Sequence, residues 1–192
     1  MRPFFFVLLV AIAVQAQSRF ANFPFAAHST SPDGRFSLSS QCTRHFCDPL
    51  DRRLWLTNNQ NHTRKVLMEV ERNVRIGWSP SGHDFFLNDN LGSNVAEAYL
   101  YFPPDGRRLD VMEAIDQAYP GDSRFAQDSH HYLNALYWLD ETTVLVKRFG
   151  HFDKEGATGF TVCYRVSTSG EVKRLSETTR EDDPCGNGSA VR

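Results

Sequence analysis

The sequence predicts an all-β fold in which about three antiparallel meander sheets stack on one another, with one short helix in an insertion. The apolar segments are short, rich in β-branched and aromatic residues and separated by turn residues, as strands are. A Ser-Pro-x-Gly turn followed by an apolar strand occurs twice, as SPDGRFSL at residues 31–38 and SPSGHDFFL at residues 79–87. A second pattern, an aromatic-rich strand followed by a polar turn and another strand, occurs three times and indicates a repeated sheet unit.

Residues 1–16 predict a secretory signal peptide that is removed and takes no part in the fold. Arg2 supplies a positive charge, Phe4–Val14 is an unbroken apolar run of eleven residues, and a small-residue cleavage motif ends at Ala16. A membrane-spanning helix needs about 20 apolar residues, so no membrane span is expected after cleavage. We therefore expect a secreted or periplasmic protein; a buried N-terminal helix is the alternative interpretation of this segment.

The rest of the chain predicts a single β-repeat domain at residues 17–176 and a polar C-terminal tail at residues 177–192. Residues 17–30 are aromatic and irregular and indicate a lead-in or edge segment. The strands predicted after it are Phe36–Ser40, Arg53–Thr57, Lys65–Val70, Val74–Trp78, Asp84–Asn88, Ala96–Phe102, Arg108–Val111, Ala135–Leu139, Thr143–Phe149, Phe160–Val166 and Val172–Leu175.

Two segments depart from the strand pattern. Residues 110–119, DVMEAIDQAY, carry apolar side chains at helical spacing, and the Pro-Gly pair at 120–121 ends the pattern. A short helix is therefore expected between the second and third repeats. Residues 88–94, NDNLGSN, are rich in oxygen ligands but lack the acidic spacing of a calcium loop, so they predict a hairpin loop.

The repeat extends beyond the opening motif into three frames. The first signature reads TSPDGRFSL at 30, WSPSGHDFFL at 78 and WLDETTVLV at 138. The second reads RLWLTNNQNHTRKVLMEV at 53, AYLYFPPDGRRLDV at 98 and VCYRVSTSGEVKRL at 162. Because proline presets φ and glycine permits positive φ, Gly34 and Gly82 predict tight turns between neighbouring strands. Trp78 and Trp138, directly before the turns, are expected to pack between adjacent sheets.

WSPSG followed by an apolar strand, and then YLYFPPDGRRL, resembles the blade repeat of TolB-type and WD40-like β-propellers, over roughly residues 30–176. The resemblance implies a propeller-like stack of blades. Propellers usually close with about 4–8 blades, whereas this chain holds about three. A partial propeller, a homodimer that completes the stack, and another all-β packing of blade-like meanders all remain open.

The cysteine count predicts disulfides, because an exported chain with an even number of cysteines forms them readily. The four are Cys42, Cys47, Cys163 and Cys185, which allow three pairings. We favour Cys42–Cys47, which closes a short loop, and Cys163–Cys185, which ties the polar tail to a strand. The alternative is a metal site formed by Cys42, His45 and Cys47.

The charge balance excludes some partner classes. Lys and Arg number 21 against 23 Asp and Glu, a formal net charge of −2. A nucleic-acid binder would show a clustered basic excess, and a membrane-surface protein a polybasic segment. We therefore expect no nucleic-acid partner, and the sequence predicts no cofactor.

The best candidate site residues are His130, His131, His151 and Asp153, with Asp128 nearby. Imidazole and carboxylate groups bind divalent metals and transfer protons. Adjacent histidines on a strand point to opposite faces, however, which makes a shared metal site hard to assemble, and no metal is predicted. The chain also lacks the Gly-x-Ser-x-Gly elbow of hydrolases, a phosphate-binding Gly loop and a His-Glu-x-x-His motif.

These observations favour an exported binding protein without evident catalysis, which recognises a protein or an envelope component. Phe23, Phe25, Tyr101 and Phe102 are candidates for an exposed aromatic patch, a feature typical of partner sites. The alternative is an enzyme, a metal-assisted or acid–base hydrolase with a site near His130 and His151.

Overall fold

The computed structural model describes residues 19–24, 26, 28–42, 52–121, 130–151, 159–178 and 185. Its elements are β1 (Phe20–Phe23), β2 (His28–Thr30), β3 (Phe36–Cys42), β4 (Arg52–Asn58), β5 (Arg64–Glu69), β6 (Asn73–Trp78), β7 (Phe85–Asn90), β8 (Val95–Phe102), β9 (Arg107–Asp110), α1 (Val111–Ala118), β10 (His130–Trp138), β11 (Thr143–His151), β12 (Phe160–Ser167) and β13 (Val172–Thr178). None of the helices within these ranges has the length and hydropathy to span a membrane.

The strands form three consecutive four-stranded antiparallel meanders. The first sheet is β2–β3–β4–β5, the second is β6–β7–β8–β9 and the third is β10–β11–β12–β13. The same meander repeated three times is a partial propeller, so the predicted fold class and the predicted resemblance to propeller blades are confirmed. The helix lies between the second and third meanders, as predicted.

Two further pairings connect these units. β1 adds to the free edge of β6, with Phe20 opposite Gly77 and Phe23 opposite Val74. At its other end the second sheet meets the third, because the first residues of β8 pair in parallel with β10 while the later ones pair with β9. The second and third sheets therefore share one hydrogen-bonded network, and the first sheet is separate.

The repeated motif is the turn between the first and second strands of each meander. Gly34 and Gly82 have φ of 73° and 80°. Their N–H groups donate to the carbonyls of Ser31 and Ser79 at 2.8 Å and 3.0 Å. The hydroxyl of each serine also accepts the N–H of a residue five positions ahead, at 3.0 Å and 3.2 Å. The turn geometry expected from Ser-Pro-x-Gly is thus present in both copies, and Leu139–Thr143 closes the third turn without glycine.

Apolar side chains fill the two spaces between the sheets. Between the first and second sheets lie Phe23, Phe36, Leu38, Leu54, Leu56, Val70, Val74, Ile76, Trp78, Phe85, Leu87 and Tyr101. Between the second and third sheets and the helix lie Phe86, Ala98, Leu100, Phe102, Val111, Ile115, Leu133, Ala135, Trp138, Val144, Val146, Phe160, Val162, Tyr164 and Val166. Each fully buried Val, Leu, Ile or Phe side chain among them contributes about 1.5–3 kcal/mol by leaving water.

Polar contacts fix how the sheets sit on one another. The indole N–H of Trp78 donates to the hydroxyl of Ser29 at 2.9 Å, and that of Trp138 donates to the carbonyl of Gly77 at 2.8 Å. Each tryptophan thus reaches the first strand of the preceding sheet, which confirms the predicted packing between sheets. Buried Asn88 also exchanges two 2.8 Å hydrogen bonds with the backbone of Ala135.

The helix follows the sequence signals for its ends. Asp110 is the N-cap, and its carboxylate accepts the N–H of Glu113 at 3.1 Å. Val111 and Ile115 are buried against the second and third sheets. On the other side, Asp116 forms a 2.8 Å ion pair with Arg148 of β11.

Some expectations were wrong. The aromatic patch is not exposed, because Phe23, Tyr101 and Phe102 are all buried; Phe25 lies outside the described residues. β10 begins at His130 rather than Ala135, because its first residues pair with both β8 and β11. β7 runs to Asn90, which shortens the expected hairpin loop. β13 continues to Thr178, three residues beyond the end of the predicted strand Val172–Leu175.

Candidate ligand-binding cleft

The histidines singled out from the sequence lie at one end of the third sheet. His130 of β10 stands directly opposite His151 of β11, and His131 stands opposite Gly150. Asp153 and Asp128 lie outside the described residues. Within the part of the chain that the structure describes, no group of three or more His, Cys, Asp or Glu side chains could hold a metal ion. The register therefore brings two of the four residues together.

One of the two expected disulfides is present. Cys163 of β12 is bonded to Cys185, with 5.5 Å between their Cα atoms. Cys163 is fully buried, so the bond ties Cys185 to the third sheet. The Cys42–Cys47 pair stays a prediction, because Cys47, like His45 of the alternative metal site, lies outside the described residues.

A cleft of about 350 Å³ opens between the first sheet and the turn that joins β8 to β9. It lies at the end of the molecule that carries the Ser-Pro-x-Gly turns. Its lining comes from the start of β3, the end of β4, the β4–β5 turn, the start of β5 and the β8–β9 turn, and comprises Phe36, Leu56, Asn58, Thr63, Arg64, Lys65, Pro103 and Pro104. We call this feature the cleft.

The floor of the cleft is apolar. Phe36 and Leu56 are the last large residues on the inner face of the first sheet, and their side chains are 5% and 4% exposed. Pro103 and Pro104 form the opposite wall. Because proline has no backbone N–H, this wall offers no main-chain donor at either position.

Lys65 crosses the cleft. It stands opposite Leu56 in the strand register, so its side chain projects from the inner face of the first sheet. Its Nζ lies 3.4 Å from the place that a Cβ would occupy on Gly106, whose φ is +74°. The ammonium group therefore reaches the β8–β9 turn of the second sheet. Among the described residues it has no carboxylate partner within ion-pair distance.

Asn58 contributes a second polar group. It stands opposite Phe36, on the same inner face. Its Oδ1 accepts the N–H groups of Gln60 at 2.9 Å and Asn61 at 3.4 Å. The Nδ2 donor has no acceptor among the described residues. The donor of the Thr63 hydroxyl is already used, since it donates to Oδ1 of Asn61 at 2.7 Å.

The charge of Arg64 points away from the cleft. Its guanidinium lies 4.1 Å from the ring centroid of Trp55 and 3.4 Å from the hydroxyl of Ser39. Both of these residues alternate with the buried leucines of β3 and β4, so they belong to the outer face of the first sheet. Of the two cations among the described residues that line the cleft, Lys65 is consequently the one whose charge faces it.

Neighbouring turns hold the cleft in shape. Asn59 donates from its side chain to the carbonyl of Gly34 at 2.8 Å and from its backbone to the carbonyl of Arg35 at 2.7 Å. Its Oδ1 also accepts the hydroxyl of Ser37 at 3.0 Å. The β4–β5 turn is therefore attached to the first Ser-Pro-x-Gly turn, and the cleft is formed before any ligand arrives.

The three turns between first and second strands contact one another in series. A Cβ on Gly82 would lie 2.9 Å from the ring of Pro32, so the two Ser-Pro-x-Gly turns touch. The N–H of Ser81 donates to the carboxylate of Glu141 in the third turn at 3.0 Å. Burial raises the pKa of Asp84 at this end; Asp105 and Glu141 add to the effect, whereas His83 and Arg107 oppose it.

Sequence reasoning missed one buried acid, Asp89 of β7. Its side chain is 4% exposed, and its Oδ1 has no hydrogen-bond partner among the described residues. In the register it stands between Val74 and Glu97, on the face that packs against the first sheet. Burial, then Glu97 and Glu71, raise the pKa of Asp89 to about 6. The sequence predicts a hairpin loop at residues 88–94. An acid in such a loop would be hydrated, so the burial of Asp89 was not predicted.

A tyrosine next to this acid shares its environment. The Tyr99 hydroxyl donates to the carboxylate of Glu97. Burial first, and then that hydrogen bond, raise the pKa of Tyr99. The guanidinium of Arg108 lies 4.5 Å from the centre of the same ring.

Comparison with known proteins finds similarity at the level of structure. No family model matches the chain, and no curated protein sequence matches it. The β-propeller domain of the Trilobed protease from Pyrococcus furiosus superposes with a TM-score of 0.48 and 10% identity, over 79% of this chain and 43% of that one. TolB from Acinetobacter baumannii superposes with a TM-score of 0.40 and 15% identity, over 79% of this chain and 32% of TolB. The chain thus spans less than half the length of either.

Proposed function

We propose that this chain is an exported binding protein that recognises its partner, a protein or an envelope component, through the cleft. The observation that carries the proposal is the cleft itself: a concave, preformed site with an apolar floor and few polar groups. Ligand sites in proteins have this composition, and a volume of about 350 Å³ lies in their usual range of roughly 300–1,000 Å³.

The position of the cleft supports the same function. It lies between two sheets at their turn end, and its walls come from turns that hydrogen bonds hold against strands. Loops on a rigid β scaffold can change in sequence without disturbing the core, which is why binding sites occur there so often.

Two features support export. The first 16 residues have the order of a secretory signal peptide, and Cys163 is disulfide-bonded to Cys185. When the full-length chain is expressed with its own N-terminus, the exported fraction should contain a protein that begins at Gln17. Intact-mass measurement checks this, and an uncleaved cytoplasmic product would contradict it.

Affinity capture from the envelope of the source organism tests the binding function. We expect the wild-type chain to retain a partner that the Thr63→Trp variant loses, because an indole at position 63 occupies the cleft. Thr142→Trp is the matched control. Thr142 also sits in an exposed turn, where its N–H and hydroxyl both bond to the side chain two residues before it, as those of Thr63 do.

Three outcomes are informative. Loss of the partner with Thr63→Trp and retention with Thr142→Trp supports the cleft as the binding site. Equal retention by both variants contradicts it, and so does the absence of a specific partner. Thermal unfolding of both variants verifies that each is folded.

A second candidate function is a metal-assisted or acid–base hydrolase near His130 and His151. One observation favours it: the register sets these two histidines directly opposite each other. Calorimetric titration of the wild-type chain and of His130→Ala with Zn²⁺ tests the metal-assisted form. Binding of zinc that His130→Ala abolishes would support it, and no heat in the wild-type chain would contradict it.

A further inference from the structure

We propose that the ligand of the cleft carries a carboxylate attached to an apolar group, with Lys65 binding the carboxylate. The proposal rests on the function proposed above and names the chemical class of the ligand. It follows from the polar groups that the cleft leaves uncommitted, from the charge of its walls and from the nature of its floor.

Two side chains of the cleft present donors without a partner among the described residues. Lys65 presents an ammonium group without a carboxylate partner among the described residues, and Asn58 presents the two N–H bonds of Nδ2. The acceptor of Asn58 already takes two hydrogen bonds from the β4–β5 turn. A ligand group that satisfies both donors must be an acceptor, and the ammonium favours an anion.

The surroundings of Lys65 leave its charge uncompensated. The residues that line the cleft include no Asp or Glu. Two acids on the adjoining turns are paired elsewhere, since Asp33 binds Arg35 and Asp105 lies 3.5 Å from Arg107. A negatively charged ligand group would therefore meet a net positive site at the mouth of the cleft.

The floor requires the remainder of the ligand to be apolar. Phe36 and Leu56 lie below the two donors, and Pro103 and Pro104 face them. A small apolar or aromatic side chain placed there loses contact with water without leaving polar groups unsatisfied. The ligand chemistry is thus an acceptor anion joined directly to an apolar group.

The donor set suits a carboxylate better than a phosphate. Phosphate sites typically present several backbone N–H groups, a helix N-terminus or an arginine fork. The wall opposite Lys65 consists of prolines without N–H groups, and the guanidinium of Arg64 is stacked on Trp55 outside the cleft. Two donors match the two oxygens of one carboxylate.

The probe that tests this inference is N-acetyl-L-phenylalanine, with its uncharged amide as the control ligand. Titration into the ¹⁵N-labelled chain should shift the amide signals of Lys65 and Gly106. We expect the acid to bind at least about tenfold more tightly than the amide, because a charge-assisted hydrogen bond contributes roughly that factor. The peptide acetyl-Gly-Gly-Phe with a free C-terminus shows whether the carboxylate is also accepted at the end of a chain.

Variants assign the effect to Lys65. Lys65→Met keeps the aliphatic stem and should weaken the acid about tenfold while leaving the amide unchanged. Lys65→Arg, which keeps the positive charge, should restore most of the difference. Lys173→Met, at an exposed position on β13, is the matched control and should leave both ligands unaffected.

The outcomes separate this inference from the proposed function. Equal affinity for the acid and the amide, with shifts confined to the cleft, overturns the carboxylate and leaves the binding site intact. No shift with any of these probes at millimolar concentration also overturns the ligand class, while the capture experiment with Thr63→Trp decides the function independently. An acid preference that survives Lys65→Met overturns the role of Lys65.

Discussion

The first and second sheets have the same strand order but bury their residues differently. Along β4 buried and half-buried residues alternate, so one face of the first sheet packs on the core and the other meets solvent. Along β7 the five residues from Phe85 to Asp89 are all buried, because the first sheet covers one face and the third sheet the other. The first sheet is therefore a terminal sheet of the stack, and the second is an interior sheet.

The outer face of the first sheet is the solvent-facing end of the stack of three sheets. Most of its residues are polar or amphipathic, and Ser37, Ser39, Trp55, Thr57 and Arg64 share it through the strand register; Val66, opposite Trp55, is 40% exposed on the same face. Arg64 covers the ring of Trp55, so this large aromatic side chain of the outer face is shielded by a charged group. An incomplete ring can therefore end at this sheet with Val66 as a single exposed aliphatic side chain rather than an extended apolar patch among the described residues.

The largest expected effect concerns the interior aromatic residues. Phe85 stacks on Tyr101 at 5.1 Å and packs against Trp78 at 4.9 Å between ring centroids. Phe85→Ala should lower the free energy of unfolding by about 3–5 kcal/mol, because it leaves a cavity. Trp55→Ala on the outer face should lower it by about 1 kcal/mol or less. Guanidinium unfolding measures both, and equal losses would contradict the distinction between terminal and interior sheets.

The next effect is a pH dependence that arises from Asp89. Its pKa is about 6 in the folded chain, against about 3.9 in an unfolded one. Between these values the folded state keeps a proton that the unfolded state has lost. The free energy of unfolding should therefore fall as the pH rises from about 4 to 6, and level off above.

Asp89→Asn removes the cost of ionising a buried carboxylate above about pH 6. The variant should be more stable than the wild type by up to about 3 kcal/mol at pH 8, and close to it at pH 4. Burial is the main cause and Glu97 and Glu71 add to it, so Glu97→Gln should give a smaller gain in the same direction. Urea unfolding from pH 4 to 8 measures the profile, with exposed Glu69→Gln as control. A variant less stable than the wild type at pH 8 would contradict it.

A smaller effect tests the contact between β1 and the second sheet. A Cβ on Gly77 would overlap the ring of Phe86 and lie 3.0 Å from the ring of Phe20. Gly77→Ala should therefore lower the free energy of unfolding by about 1–3 kcal/mol. Gly92→Ala is the control, because its Cβ would meet no atom closer than 3.8 Å. Thermal unfolding compares the two, and equal midpoints would show that the β1 contact adapts.

The smallest expected change concerns assembly. A homodimer that completes the stack through the first sheet would have to bury the outer face of that sheet. This homodimer stays a prediction. Sedimentation velocity at increasing concentration checks it. In that dimer Trp55→Glu should shift the species toward the monomer, whereas a wild type that sediments as a monomer at all concentrations would rule it out.

Much of the fold follows from local sequence signals. Gly34 and Gly82 require positive φ at the turns, and strand segments could be placed because alternation and β-branching are local properties. The helix was expected because apolar side chains recur at helical spacing over residues 110–119 and a Pro-Gly pair follows them. The Cys163–Cys185 bond was one of the pairings favoured, although spacing alone left three open.

The cleft could not be predicted from local sequence signals. Its two donors come from β4 and β5 and its opposite wall from the β8–β9 turn, about 40 residues later in the chain. The histidine cluster attracted attention because its residue types are reactive, whereas Lys65 and Asn58 look like ordinary surface residues. Asp89 was missed because its burial depends on two long-range features, the extension of β7 to Asn90 and the packing of a sheet on each face of that strand.

The sequence by itself determined the repeating unit, its turns and the short helix, because backbone dihedral preferences and side-chain periodicity act within a few residues. Tertiary structure decided which units touch. It placed β1 beside β6, brought β8 to β10, buried Asp89 between two sheets and set Lys65 across from Gly106. These contacts join residues distant in the chain, and they are selected by the burial of two whole sheet faces rather than by any local preference.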